Sequence, residues 1–170
     1  MIRKATAADL PGILFIYNDA ILHTTAIYDY TPHTLEMRAA WLAAHEKAGF
    51  PVFVWEEDGQ VAGFAAYGSF RDWPAYKYTV EHSIYVHPGY RRRGIARALM
   101  EKLIAEADAA GYATMVAGID AENEGSLRLH EQLGFTNAGT IRRAGYKFGH
   151  WLDLVFYQRL LTGPAQPVEK

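Results

Sequence analysis

Between a β-rich run ending at Val86 and an amphipathic run from Ala96 lies Arg91-Arg92-Arg93-Gly94-Ile95-Ala96. That order of strand, short basic glycine-bearing loop and helix start restricts the chain to folds in which a strand feeds directly into a helix N-terminus. The first backbone N–H groups of a helix lack an internal partner, and the helix dipole favours negative charge there. Gly94 has no Cβ, so a ligand can approach the main chain closely. The arginines add bidentate phosphate donors. The stretch therefore reads as a cradle for a phosphorylated ligand. No Gly-Lys-Ser/Thr follows, so it is not a Walker A loop. It is not G-x-G-x-x-G either, which disfavours a dinucleotide fold.

The surrounding pattern supplies the rest of the fold. Met1 to Ala5 is a short strand, and Thr6-x-x-Asp9 resembles a capping box with Asp in place of Glu. Leu10, Ile13, Leu14, Tyr17 and Ile21 recur at helical spacing. Thr31-Pro32 reads as the N-cap and first-turn proline of a second helix, closed by Gly49. Val52 to Trp55 and Val61 to Tyr67 are strands joined through Asp58-Gly59, a hairpin signal. Tyr78 to Val86 is a third long strand, and a helix then runs to Gly111. Thr114 to Ile119 is a buried-type strand, and Ser126 to Leu133 a short helix. Strands follow over about 136–141 and 152–157. The order β-α-α-β-β-β-α-β-α-β-β predicts an α/β (α+β) protein with a mixed, mostly antiparallel central sheet and helices on its faces.

At 170 residues, 1–162 are expected to form one domain, with 163–170 as a flexible tail. The net charge of −2 gives no basic field for nucleic acid. The absence of cysteine excludes disulfides, thiolate metal sites and a cysteine nucleophile. The seven histidines are scattered in sequence without an H-x-x-x-H pair, so no metal is expected. Arg3, Lys4 and Asp9 interrupt any signal-peptide core, and no apolar run has membrane-spanning length, so a cytoplasmic protein is expected.

Four segments carry a family resemblance. Arg91-x-x-Gly94-x-Ala96 resembles the acyl-CoA pyrophosphate signature of the GCN5-related N-acetyltransferases. Asn123-x-x-Ser126-x-x-Leu129-His130-x-x-Leu133-Gly134-Phe135 resembles the second cofactor motif of that family. Thr79-Val80-Glu81-His82-Ser83-Ile84-Tyr85-Val86 is similar to the corresponding segment of its phosphinothricin and methionine sulfoximine/sulfone branch, and Phe70 to Lys77 precedes it. The resemblance implies a fold with about four helices, binding acetyl-CoA in a splay between the central strands, and a homodimer. It further implies cofactor contacts from Ile84, Tyr85, Val86, Arg91, Arg92, Arg93, Gly94, Ile95, Ala96, Arg97, Asn123 and Ser126. On the substrate side stand Arg71, Asp72, Trp73, Lys77, Tyr28, His82 and Ser83.

Strand alternation sets Glu81 opposite in facing to Val80, His82, Ile84 and Val86. Read alone, a mid-strand glutamate is either a solvent-facing residue or a functional one. The resemblance implies the general base that removes a proton from the substrate ammonium group before the nitrogen attacks the thioester. His130, where many members carry tyrosine, has two readings: a proton donor to the departing thiolate, or a helix-face histidine packed under Phe135. Arg71 and Lys77 are either ordinary surface cations or holders of a substrate carboxylate. The segment Lys147 to Leu154 reads as a substrate-side loop running into the last strand. The expected activity is acetyl transfer from acetyl-CoA to the α-amino group of a small amino acid or analogue. A protein N-terminal acetyltransferase and a non-catalytic acyl-CoA-binding module are the alternatives.

Overall fold

The computed structural model describes all 170 residues. Strands are β1 (Ile2–Lys4), β2 (Val52–Glu57), β3 (Gln60–Ser69), β4 (Thr79–Val86), β5 (Thr114–Asp120), β6 (Thr136–Lys147) and β7 (His150–Leu160). Helices are α1 (Leu10–His23), α2 (Leu35–Ala48), α3 (Ile95–Ala109) and α4 (Glu124–Gln132). The strands are hydrogen-bonded in the order β1-β2-β3-β4-β5-β7-β6, with β4 and β5 parallel. The mixed sheet and four helices match the architecture expected from the sequence. The chain clusters into two compact units, Met1–Tyr67 with Ser83–Leu103, and Gly68–His82 with Ile104–Lys170. Strand β4 contributes its first half to the second unit and its last half to the first.

In the first unit, Asp58 (φ 52°) and Gly59 (φ 74°) turn β2 into β3. Both φ angles are positive, which suits the twist of a tight hairpin. Ile13, Ile16, Val54 and Phe64 form a buried cluster, with Tyr17, Trp41 and Tyr85 packed against it. The box at Thr6 forms: the Thr6 N–H donates to the Asp9 carboxylate at 2.8 Å, and Arg3 pairs with Asp9 at 2.7 Å. These contacts hold the Asp9 carboxyl below its usual range, the Arg3 hydrogen bond being the largest cause.

Helix α2 begins later than the Thr31-Pro32 signal suggests. Thr34 is its N-cap, accepting from the Met37 N–H at 3.2 Å. Asp29 instead organises the preceding loop, accepting from the Tyr30 and Thr31 N–H groups. A proline at N1 requires a capping side chain just before it in helical register, and here the local turn takes Thr31.

In the second unit, β5 pairs with β7 and β7 with β6, both antiparallel. The segment expected to be a loop from Lys147 to Leu154 is a hairpin instead. Phe148 (φ 50°) and Gly149 (φ 80°) reverse the chain between β6 and β7. Strand β6 also continues past Ile141, through a register shift between Ile141 and Gly145. There Arg143 adopts φ 52°, and its N–H donates to the Asp153 carboxylate at 2.8 Å. Such a bulge breaks two-residue alternation, which is why the pattern seemed to stop. Beyond β7, the Thr162 N–H donates to Asp108 and the Val168 N–H to the Tyr78 hydroxyl.

Candidate active site

The first unit holds the basic loop. After Val86 a 3₁₀ turn, Pro88–Tyr90, is fixed by the His87 ring accepting from the Gly89 N–H at 2.9 Å. Arg92 (φ 63°) and Gly94 (φ 77°) then take left-handed backbone and swing the chain into α3. The first backbone bond of α3 runs from the Ala98 N–H to the Gly94 carbonyl at 3.1 Å. The amides of Gly94, Ile95 and Ala96 stand at the helix start, where backbone donors have no acceptor within the helix. Nothing lies within 4 Å of a Cβ added at Gly94, so space is open there. The arginine heads form surface ion pairs: Arg91 with Asp19 at 3.7 Å, Arg93 with Glu57 at 3.1 Å, Arg97 with Glu101 at 3.9 Å. Exposed pairs of this kind contribute little to stability, which leaves the cations available to an anion. Ile95 is buried and anchors the helix start. The Tyr85 ring packs edge-on to Tyr17 at 5.7 Å and tilted on Phe64 at 5.4 Å, so its side chain serves the core. Tyr28 is partly exposed, in a loop whose far end is clamped to α1 by two bonds between the Asn18 side-chain amide and the His33 backbone, at 2.8 and 3.0 Å.

The second unit holds the strand carboxylate. Glu81 of β4 stands in parallel register with Val116 of β5. Its Oε2 lies 3.8 Å from where a Gly118 Cβ would be, so the missing side chain at Gly118 leaves room for the carboxylate. Leu154 and Phe156 border the same point. Glu81 is half-buried, and no side chain or amide of the protein hydrogen-bonds it. Burial raises its pKa above the ordinary glutamate value, while the Arg71 charge pulls the other way. Arg71 is exposed, donates to the Phe70 carbonyl at 2.8 Å and stacks on the Phe70 ring at 4.1 Å. Phe70 packs edge-on against Tyr76 and Phe156. One acidic side chain, Glu81, and one basic side chain, Arg71, thus stand near the ring cluster of Phe70, Tyr76 and Phe156. Asp72 and Lys77 are exposed, as is Trp73 at 75 %. Ser83 is half-buried in β4.

The same unit brings together two histidines that look unrelated in sequence. His82 Nε2 and His130 Nε2 are 2.9 Å apart, and the rings stack with centroids at 5.0 Å. Both lie edge-on to Phe135. His130 is fully buried, and its Nδ1 is 2.7 Å from the Ser126 carbonyl. Asn123 caps α4, its side-chain oxygen accepting from the Ser126 N–H at 3.1 Å. Burial lowers the pKa of both imidazoles, His82 to about 3. Sequence spacing of 48 residues conceals this pair. The signal that could have exposed it is the placing of His82 on the same strand face as buried Val80, within reach of the Phe135 that follows α4.

The geometry is that of a strand feeding a helix N-terminus suited to a phosphorylated ligand, with a half-buried acid on the same strand. The profile of the Acetyltransferase (GNAT) family matches residues 15–135. The L-methionine sulfoximine/L-methionine sulfone acetyltransferase of Salmonella typhimurium is 46 % identical over 98 % of this chain and 97 % of its own length. The phosphinothricin N-acetyltransferase of Streptomyces viridochromogenes is 39 % identical over 98 % of this chain and 90 % of its own. Among solved structures, an acetyltransferase from Salmonella typhimurium with its cofactor acetyl-CoA superposes with a TM-score of 0.95 at 45 % identity, covering 99 % of this chain and 97 % of that one. The chain belongs to the GNAT acetyltransferase family. It is an acetyl-CoA-dependent N-acetyltransferase. No helix is long and apolar enough to cross a membrane.

Proposed function

We propose that this enzyme acetylates the α-amino group of a small amino acid or analogue of the methionine sulfoximine, methionine sulfone and phosphinothricin type, with Glu81 as general base. The observation that carries this reading is the Glu81 carboxylate. It is half-buried, has no protein hydrogen bond, and its proton affinity is raised by desolvation. An acid so tuned can take an ammonium proton near neutral pH, directly or through water. The helix-start amides of Gly94 to Ala96 and the arginines of the loop hold the diphosphate of acetyl-CoA. The main chain of Ile84 to Val86 pairs with its extended pantetheine arm, in the manner of strand addition. Arg71 receives the substrate carboxylate, and the rings of Phe70, Tyr76 and Phe156 enclose the side chain. His130 borders the thioester as a buried, neutral imidazole.

Attack is direct, because the chain has no cysteine and no residue is placed here as an acyl carrier. Sequential rather than ping-pong kinetics follow. The relatives' names support the amino-acid acceptor. We further propose a homodimer, for which the exposed Ile141, Phe148 and Trp151 of the β6–β7 hairpin supply apolar surface. The test is CoA release from acetyl-CoA with a panel of amino acids, the three analogues, simple amines and short peptides. Turnover with the analogues is the expected result. Turnover with peptides alone would replace the amino-acid reading by the protein N-terminal one.

A further inference from the structure

The ring-nitrogen partners of His82 and His130 fix where the hydrogens are. The Ser126 carbonyl can only accept, so His130 Nδ1, 2.7 Å away, carries a hydrogen. Burial holds the ring neutral, so His130 Nε2 bears a lone pair. The 2.9 Å contact must then be a donation from His82 Nε2–H to His130 Nε2. That leaves His82 Nδ1 as a bare acceptor, and this atom is buried without a partner. An apolar side chain at position 82 would pack against Phe135 and remove the unpaired Nδ1, but would leave His130 Nε2 without its donor. What the imidazole adds is one N–H, aimed at His130.

We infer that His82 is a positioning residue, not a substrate contact: its N–H locks His130 in one rotamer and in the Nδ1–H tautomer. The inference rests on the reading that the His130 ring borders the site of the chemical step. In this arrangement neither ring nitrogen of His130 is open, because one is committed to Ser126 and the other to His82. The ring is thus held as a neutral imidazole bridging strand β4 to the first turn of α4. Without the His82 N–H, His130 Nε2 is a buried unpaired acceptor, free to rotate or take the other tautomer.

The test pairs spectroscopy with kinetics on the full-length enzyme. Imidazole ¹⁵N–¹H correlation at pH 7 is expected to show His130 as the Nδ1–H tautomer and His82 as the Nε2–H tautomer. His82→Leu is expected to lose the single His130 tautomer and lower kcat about 10- to 100-fold, the usual scale for an outer partner of a functional histidine. The KM for acetyl-CoA should move less than twofold. His82→Gln, whose amide N–H reaches a similar point, is expected to restore kcat to within about threefold. The opposite tautomers in the native protein, an unchanged kcat in His82→Leu, or a rise in KM alone would overturn the assignment. Should the native enzyme turn over no amino acid, the functional reading fails, while the tautomer measurement still decides the pairing.

Discussion

Gly63→Ala tests how α3 is seated on the sheet of the first unit. A Cβ at Gly63 of β3 would lie 3.0 Å from Ile95 Cγ2, 3.2 Å from Leu99 Cδ1 and 3.2 Å from the Tyr85 carbonyl oxygen. Favourable carbon contacts begin near 3.5 Å, so all three are compressed. The Leu99 tip can swing aside, but the Tyr85 oxygen is main chain, and Ile95 is buried at the first position of α3. Overpacking of this kind costs about 1–3 kcal/mol. Replacing glycine in a strand returns about 0.5–1 kcal/mol of backbone entropy. The net expectation is a loss of ~1–2 kcal/mol, or roughly 2–8 °C in Tm for a chain of this size. Relief by outward movement of Ile95 also shifts the amides at the helix start. The KM for acetyl-CoA should therefore rise while kcat at saturation holds. Thermal unfolding and a CoA-release assay measure both. A Tm equal to or above the native value, with unchanged KM, would refute the reasoning.

Glu81→Gln is expected to lower kcat by ~10²–10⁴ with acetyl-CoA affinity nearly unchanged, read from initial rates and calorimetry. The same variant should gain stability at neutral pH. A carboxyl with a raised folded-state pKa binds its proton more tightly when folded, so native stability falls as pH rises through that pKa, and Gln removes the loss. Chemical denaturation at pH 4.5 and pH 8 should show the gain only at the higher pH. Arg71→Ala should raise KM for amino acids more than for simple amines; equal effects would contradict carboxylate recognition. Asn123→Ala removes the α4 cap and should cost about 1 kcal/mol, seen as a lower denaturation midpoint.

Much of the fold was legible because local chemistry and tertiary contacts agree. Asp58-Gly59, Gly49 and the Thr6–Asp9 box each act where their residue types suggest. The failures have two causes, unfamiliar local turns and contacts between distant groups. Pro32 suggested a helix start, yet an Asp29-centred turn precedes the Thr34 cap. Phe148-Gly149 lacks the Asn or Asp of a familiar tight turn, so the β6–β7 hairpin read as a loop. The carboxylate and the basic loop stood out as a charge in a strand and a charge run before a helix. The room at Gly118 and the His82–His130 contact did not, because each depends on strand register or helix docking between residues far apart in sequence.

The most direct measurement is the pH dependence of kcat for acetylation of methionine sulfone at saturating acetyl-CoA, in the native enzyme and in Glu81→Gln. A half-buried glutamate acting as base predicts a rate that climbs with pH through an apparent pKa above the ordinary glutamate value of 4.5, with that limb absent from the variant. The same limb in Glu81→Gln, at a near-native rate, would contradict the account.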